Sequence, residues 1–299
     1  MKVINPSNYY HEQDKKTLLA LEAIPGFQLV LKTFMKIYNE TMIHGINMSS
    51  KIRLGPDQLP EIYQLLPPIC KVLGITEPEF YLEMNPYPNA YTFGDSMISI
   101  TVTSGLIEIM EEDEVKAVLA HECGHIACRH CLYHSMADII INQGIDLLGI
   151  DAISLPLKIA FCHWQRCSEF SADRAAAVYL QSCSSVIEVM TRLSGGSKNI
   201  TAKVNQKLYI EQAKEYQKLI DSSLWNKTLQ FMVLMNQTHP FTAVRAAEIK
   251  QWCESSDFEK IMDYMKQNDN ECRSCGGMVE KDWVFCKHCG KKIEEDFTC

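Results

Sequence analysis

Apolar residues recur at helical spacing through the first quarter of the chain and switch to alternation only in a short window after it. From about Asp14 to Gly74, Leu18, Leu19, Leu21, Leu29, Leu31 and Phe34 mark apolar faces that amphipathic helices would bury, and Pro25-Gly26 interrupts them. A helical N-terminal layer over residues 1–76 is expected. Between Phe80 and Thr103 the texture changes. Phe80-Tyr81-Leu82, Ala90-Tyr91-Thr92-Phe93 and Met97-Ile98-Ser99-Ile100-Thr101-Val102 are rich in aromatic and β-branched residues, with Gly94-Asp95 as a turn. This predicts a small sheet of about three strands. Helical patterning resumes at Glu112, opened by the acidic run Glu111 to Glu114, which suits the positive end of a helix dipole. A second long helix is expected from about Leu157 through Ala177, and a later one from Pro240, capped by Thr238 or His239. The expected class is α+β, mainly helical, with a small antiparallel-edged sheet.

The most apolar stretch, Ile139 to Phe161, is interrupted by Asp146, Asp151 and Lys158, with Pro156 near its end, so it makes a poor membrane span. A buried helical hairpin is expected, with one-sided contact with a membrane surface as the other reading. Met1 to Tyr10 lacks a basic segment followed by an apolar run, so no secretory signal is visible and a cytoplasmic location is expected. A chain of 299 residues with 46% hydrophobic and 22% charged positions suits one sizeable core plus a satellite module. The formal net charge of -8 disfavours nonspecific polyanion binding, which needs excess Lys and Arg. No nucleic acid is expected as a partner; protein or peptide substrates fit better.

Chemistry concentrates at His121-Glu122-Cys123-Gly124-His125. Two histidines four apart on a helix present both imidazoles on one face as zinc ligands, and Glu122 between them can act as base toward a water held by the metal. Taken alone, the pattern also fits an amphipathic helix with incidental histidines. The third ligand separates the classes of such sites. A metzincin would continue with a glycine seven residues and a histidine ten residues after the first histidine, where this chain has Cys128 and Cys131. Downstream, Glu169-Phe170-Ser171-Ala172-Asp173 offers two carboxylates on one helix face. Glu169 can ligate zinc while Asp173 accepts the outer N–H of a ligand histidine.

With Asn89-Ala90, His121 to Ile126, Glu169 to Asp173 followed by Arg174-Ala175-Ala176, and Thr238-His239-Pro240 with Arg245, the chain resembles the HtpX and CAAX prenyl protease family of gluzincin metallopeptidases. The likeness runs from about Phe80 to Ile249. It implies a zincin-type peptidase core, read here as residues 77–254, that hydrolyses peptide bonds. It further implies that His121, His125 and Glu169 bind the catalytic zinc, with Glu122 as base and Asp173 behind the ligands. His239 would lie near the substrate carbonyl, and could equally cap the helix at Pro240. Arg245 would pair with an active-site carboxylate or with a surface partner. Asn89, Ala90 and Tyr91 would form an edge strand that an extended substrate joins. Without spanning helices before the motif, the resemblance is to the soluble branch, and a prenylated substrate is not expected.

Thirteen cysteines remain to be placed. Cys128-Arg129-His130-Cys131 falls within the expected metal helix rather than at a strand-to-helix turn, so no redox role is assigned, and His130 and His134 are read as helix-surface or core histidines. After a helix and linker over 255–271, Cys272-Arg273-Ser274-Cys275 and Cys286-Lys287-His288-Cys289 form two close pairs, each followed by glycine. Four thiolates so spaced suit a closed structural zinc site, a ribbon over residues 272–292 that a protein partner could recognise. Two zinc ions, one catalytic and one structural, are expected. The alternative function is a catalytically silent scaffold that recruits partners through the ribbon; the intact Glu122 argues against it.

Overall fold

The computed structural model describes residues 2–142, 155–234, 240–267, 279–280 and 283–292. Its N-terminal layer holds α1 (Glu12–Glu22), α2 (Phe27–Ile37), α3 (Glu40–Ser50), strand β1 (Ile52–Arg53), α4 (Pro60–Tyr63) and α5 (Leu66–Leu73). Gly26 adopts φ 93 between the first two helices, a left-handed turn that glycine takes without a Cβ clash. Strands β2 (Glu79–Glu83), β3 (Ala90–Phe93) and β4 (Ser99–Thr103) follow. The sheet is mixed, in the order β1-β2-β4-β3, with β2 and β4 parallel and antiparallel strands at both edges. It therefore has four strands rather than about three, and the N-terminal layer is not purely helical. A two-residue strand is too short to show alternation, so β1 leaves no periodic trace.

The second half is helical: α6 (Ser104–Ile109), α7 (Glu112–Ala127), α8 (Cys131–Asn142), α9 (Leu155–Leu180), α10 (Ser184–Gly195), α11 (Lys198–Thr201), α12 (Gln206–Asp221), α13 (Leu224–Leu234), α14 (Thr242–Cys253) and α15 (Ser256–Gln267). The acidic run opens α7 as a capping box: the Glu111 side chain accepts from the third helical N–H while Glu114 Oε2 accepts from Glu111 N at 2.8 Å. Glu114 is itself buried and paired with Arg192 of α10 at 2.8 Å, which ties the start of the helix to the core.

Helices α7 and α9 form the centre of the fold. Ala172, Ala175, Ala176 and Ala177 are fully buried and let the two backbones approach closely. A Cβ added at Gly124 would lie 2.7 Å from Ala175 Cβ and 3.0 Å from Ala172 Cα, so only glycine fits there. A second apolar cluster joins Leu21, Phe27, Val30 and Phe34 of α1 and α2 to Met136, Phe161 and Trp164. Among the described residues no single helix is long and apolar enough to cross a membrane. The bent pair Glu12–Glu22 and Phe27–Met35 matches a span in length and composition only, and it packs into that cluster. Within the Ile139 to Phe161 stretch, Leu157 and Phe161 point into the protein, while its tip lies outside the described residues.

Two helix boundaries differ from those expected. Helix α14 begins at Thr242 rather than Pro240, because Phe241 holds an extended ψ of 137° at the cap. Helix α7 stops at Ala127, so Cys128 to His130 form the link to α8, which Cys131 opens, instead of continuing the metal helix. Thr238, His239 and the linker Asn268-Asp269-Asn270 lie outside the described residues. The C-terminal module is described only at 279–280 and 283–292. There Gly290 adopts φ 73 and donates to Cys286 O at 2.8 Å, and His288 N–H points at Cys286 Sγ at 3.4 Å. Cys272 and Cys275 lie outside the described residues.

Candidate metal centre

Helix α7 carries His121 and His125 one turn apart, and α9 brings Glu169 against them. The two Nε2 atoms are 3.2 Å apart, His121 Nε2 is 3.5 Å from Glu169 Oε2, and His125 Nε2 is 3.4 Å from Glu169 Oε1. The two imidazole nitrogens and the Glu169 carboxylate, each nitrogen facing a different oxygen of it, thus form a compact triangle of ligand groups. Zinc ligands at about 2.0–2.1 Å in tetrahedral geometry stand about 3.3–3.4 Å from one another, so each of these separations is close to that between two ligands of one zinc ion. Two imidazoles and a carboxylate are also a donor set that zinc accepts. His125 and Glu169 are buried, and His121 is nearly so.

Behind the triangle, His121 Nδ1 lies 2.9 Å from Asp173 Oδ1. Arg245, in the first turn of α14, donates to both oxygens of Asp173 and pairs with Glu169 Oε2 at 2.9 Å. Burial disfavours charge on Asp173, but the Arg245 guanidinium outweighs it and holds this carboxyl below its usual range. Burial likewise opposes a charged His121, yet hydrogen bonds to Asp173 and Glu169 carry it up to about 9 in the metal-free site. His125 moves the other way: burial pulls it down, and the neighbouring His121 adds to this against the pull of Glu169.

Glu122 lines the same cavity as His121 and Glu169, on the side of the sheet. Its Oε2 accepts a hydrogen bond of 2.6 Å from Thr92 Oγ1 on β3. Ala90 lines the adjoining cavity with Asn89, whereas Tyr91 points to the opposite face, where its hydroxyl donates to Glu83 at 2.6 Å. The cavity holds about 220 Å³ and runs from the triangle between β3, α7, α10 and α14, lined on its apolar side by Leu106, Val118, Val186, Val189, Met190 and Leu193. Among the described residues, strand β3 pairs with β4 alone and forms the edge of the sheet beside the cavity. His239 lies outside the described residues, although its neighbour Pro240 lines the cavity.

The sequence reading missed three contributors. Thr92 was legible in principle, since residues two apart on a strand share a face and Ala90 was already placed. His130 is a core histidine, the second of its two expected readings, but its contact with His125 is not foreseen. It is fully buried, with Nδ1 3.0 Å from His125 Nδ1 and Nε2 3.0 Å from Asp14 Oδ2. A C-terminal turn on α7 carries it there: Arg129 adopts φ 60, Arg129 N–H bonds to Ile126 O at 3.0 Å, and His130 N–H bonds to His125 O at 2.9 Å. That is a Schellman cap with arginine where glycine is usual, at a cost of about 1 kcal/mol. With arginine in place of glycine at position 129, no local signal marks the end of the helix before Cys131. Asp14, in the N-terminal layer, carried no local signal at all.

Comparison with known proteins places this arrangement. The chain is 30% identical over 266 residues to plastoglobule-localized metallopeptidase 48, chloroplastic, of Arabidopsis thaliana, covering 87% of this chain and 76% of that protein. It is 35% identical over 95 residues to a protease HtpX homolog of a Sulfurihydrogenibium species, and 28% identical over 116 residues to one of Thermococcus sibiricus; these alignments cover 32% and 39% of the relatives. No solved structure matches. Fold, donor set and relatives together define a metallopeptidase, a hydrolase acting on protein or peptide substrates. The model of Peptidase family M48 matches residues 57–253, and the chain belongs to that family.

Proposed function

We propose that the chain is a zinc-dependent endopeptidase in which His121, His125 and Glu169 hold the metal and Glu122 is the base. The observation that carries this reading is the grouping of His121, His125 and Glu169 with separations close to those between zinc ligands, with Glu122 lining the same cavity and a strand edge alongside. When bound, zinc would acidify a water and polarise the scissile carbonyl.

The chain's own groups supply the rest. Glu122 takes a proton from the attacking water and returns it to the leaving amine, with Thr92 fixing which of its oxygens is free. Asp173 fixes His121 with its proton on Nδ1, which leaves the Nε2 lone pair for the metal, and Arg245 neutralises the two buried carboxylates. The main chain at Asn89, Ala90 and Tyr91 offers hydrogen bonds to an extended substrate along the edge strand β3. Leu106, Val118 and Met190 support an apolar substrate side chain beside the metal. His239, next to Pro240 at the cavity, is the proposed donor to the developing oxyanion.

A second zinc held by Cys272, Cys275, Cys286 and Cys289 belongs to the same proposal. It is supported by the turn at Gly290 and by the His288 N–H aimed at Cys286 Sγ. The ribbon so formed would recruit a protein partner. A cytoplasmic, reducing location belongs to the same proposal, because closely paired cysteines at metal-ligand spacing suit bound thiolates better than disulfides.

The test is proteolysis of casein by wild type and Glu122→Gln, with metal content measured on both. Loss of about 10²–10⁴-fold in rate with metal retained is expected for removal of a general base. Equal activity in the two proteins would overturn the mechanism, and support the scaffold alternative only if neither cleaves.

A further inference from the structure

Each of the two histidines on α7 has a ring nitrogen facing the triangle and another facing the protein. For His121 the inner partner is a carboxylate, Asp173. For His125 it is another imidazole, which can donate or accept and so fixes nothing by itself. The direction of that hydrogen bond is decided one step further on, at Asp14.

Asp14 is fully buried on α1 and is surrounded by donors: Trp164 Nε1 at 3.1 Å on one oxygen, Ser171 Oγ at 2.6 Å and His130 Nε2 at 3.0 Å on the other. An ionised carboxylate only accepts, so His130 must carry its proton on Nε2. A neutral His130 then has a bare Nδ1, which at 3.0 Å accepts from His125 Nδ1. His125 is left with a bare Nε2 toward Glu169 and His121. Tyr10 Oη, 3.3 Å from His130 Nε2, can share the same proton without reversing the order.

The rings of His125, His130 and His134 also bring nitrogens within 4.8 Å of one another, as a metal cluster would. That reading needs the lone pair of His125 Nδ1, which would make His125 an imidazolate bridging two metals. It also needs His134, whose Nε2 lies 2.8 Å from Ser168 Oγ. The hydrogen-bond chain accounts for the same geometry with ordinary neutral rings, and the left-handed turn at Arg129 is spent on bringing His130 back against His125.

We propose that Asp14 and His130 are positioning residues for the metal centre, forming a two-step relay that fixes the tautomer and ring orientation of His125 as Asp173 does directly for His121. The proposal rests on the reading of His121, His125 and Glu169 as metal ligands. It makes the N-terminal layer, which precedes the family-matched residues 57–253, part of the site.

The test uses the full chain, stripped of metal and titrated with cobalt(II). The ligand-field absorption reports the histidine and carboxylate site, and thiolate charge-transfer bands report the cysteines separately. Asp14→Asn and His130→Phe should each weaken cobalt binding at the first site about 10- to 100-fold. His130→Gln, whose amide oxygen can still accept from His125 Nδ1, should recover most of the loss. The double variant should be no weaker than His130→Phe, because both act through one chain.

Binding constants within twofold of wild type in Asp14→Asn and His130→Phe, even with lower thermal stability, would reduce the pair to a structural role and overturn the proposal. Ring ¹⁵N spectra of the metal-loaded wild type give a check that needs no variant: His130 should show a protonated Nε2 and a bare Nδ1, and the opposite tautomer overturns the relay. If Glu169→Ala leaves cobalt binding unchanged, the metal site itself is wrong and the relay falls with it.

Discussion

Arg245 holds Asp173 in a fork, donating from Nη2 at 2.6 Å to one oxygen and from Nε at 2.9 Å to the other. Its remaining nitrogen reaches Glu169 at 2.9 Å, so one buried cation serves two buried anions on successive turns of α9. Arg245→Leu should cost about 3–5 kcal/mol in the metal-free protein, because both buried carboxylates lose their guanidinium partner. Arg245→Lys should recover little of this, since an ammonium cannot make the fork. Chemical denaturation of the metal-free proteins checks both, and a lysine variant as stable as wild type would contradict the bidentate argument.

Gly124→Ala should be damaging although it adds only a methyl group. The new Cβ would meet Ala175 at 2.7 Å and the α9 backbone near Ala172 at 3.0 Å, and neither neighbour is a flexible side-chain end. Pushing α7 from α9 should cost about 1–3 kcal/mol. It also separates His121 and His125 from Glu169, so metal affinity should drop along with melting temperature. A variant that loses stability but retains full metal affinity would show that the displacement is absorbed elsewhere.

Thr92→Val keeps the shape of the strand and deletes one donor. The Glu122 carboxylate loses its 2.6 Å partner, and a hydrogen bond to a charged group contributes about 1.5–3 kcal/mol. The turnover rate should fall by about tenfold or more with metal content unchanged and KM little altered. An unchanged rate would mean that Glu122 is held well enough by its helix.

Acid should unfold the metal-free protein through Asp173 and Asp14. Both are buried with their carboxyls held below the usual range: burial opposes this, and Arg245 in one case and His130 in the other outweigh it. Their stabilisation is fully present above the unfolded-state value of about 3.9 and is lost as pH falls through the lower folded-state value. Melting temperatures should therefore drop steeply below about pH 4. The gap between wild type and Asp173→Asn should be widest above that point and close as the medium becomes more acidic.

What could be read from the chain alone follows a physical divide. Helices α7 and α9 were visible because their signals are local: an acidic run that opens one, apolar spacing, and four-residue intervals that put His121 with His125 and Glu169 with Asp173. The end of α7 is not legible because Arg129 makes a turn normally marked by glycine. Strand β1 escaped notice because two residues cannot show a period. Asp14 and Thr92 act across separations of more than a hundred and about thirty residues, and only the folded chain brings them to His130 and Glu122. The start of α14 falls two residues after the expected Pro240, since proline marks a first helical turn in many sequences but Phe241 is extended here.

Strand β1 has a further consequence. It comes from the segment before the family-matched residues and covers one flank of β2, and Leu54 beside it is buried in the main core. A fragment trimmed to residues 57–253 would keep every motif by which the chain is recognised. It would lack the strand that shields β2, leaving a raw sheet edge and an opened core beneath it. The stretch that identifies the enzyme is thus smaller than the unit able to fold, and an expression boundary drawn from similarity alone should yield an insoluble peptide.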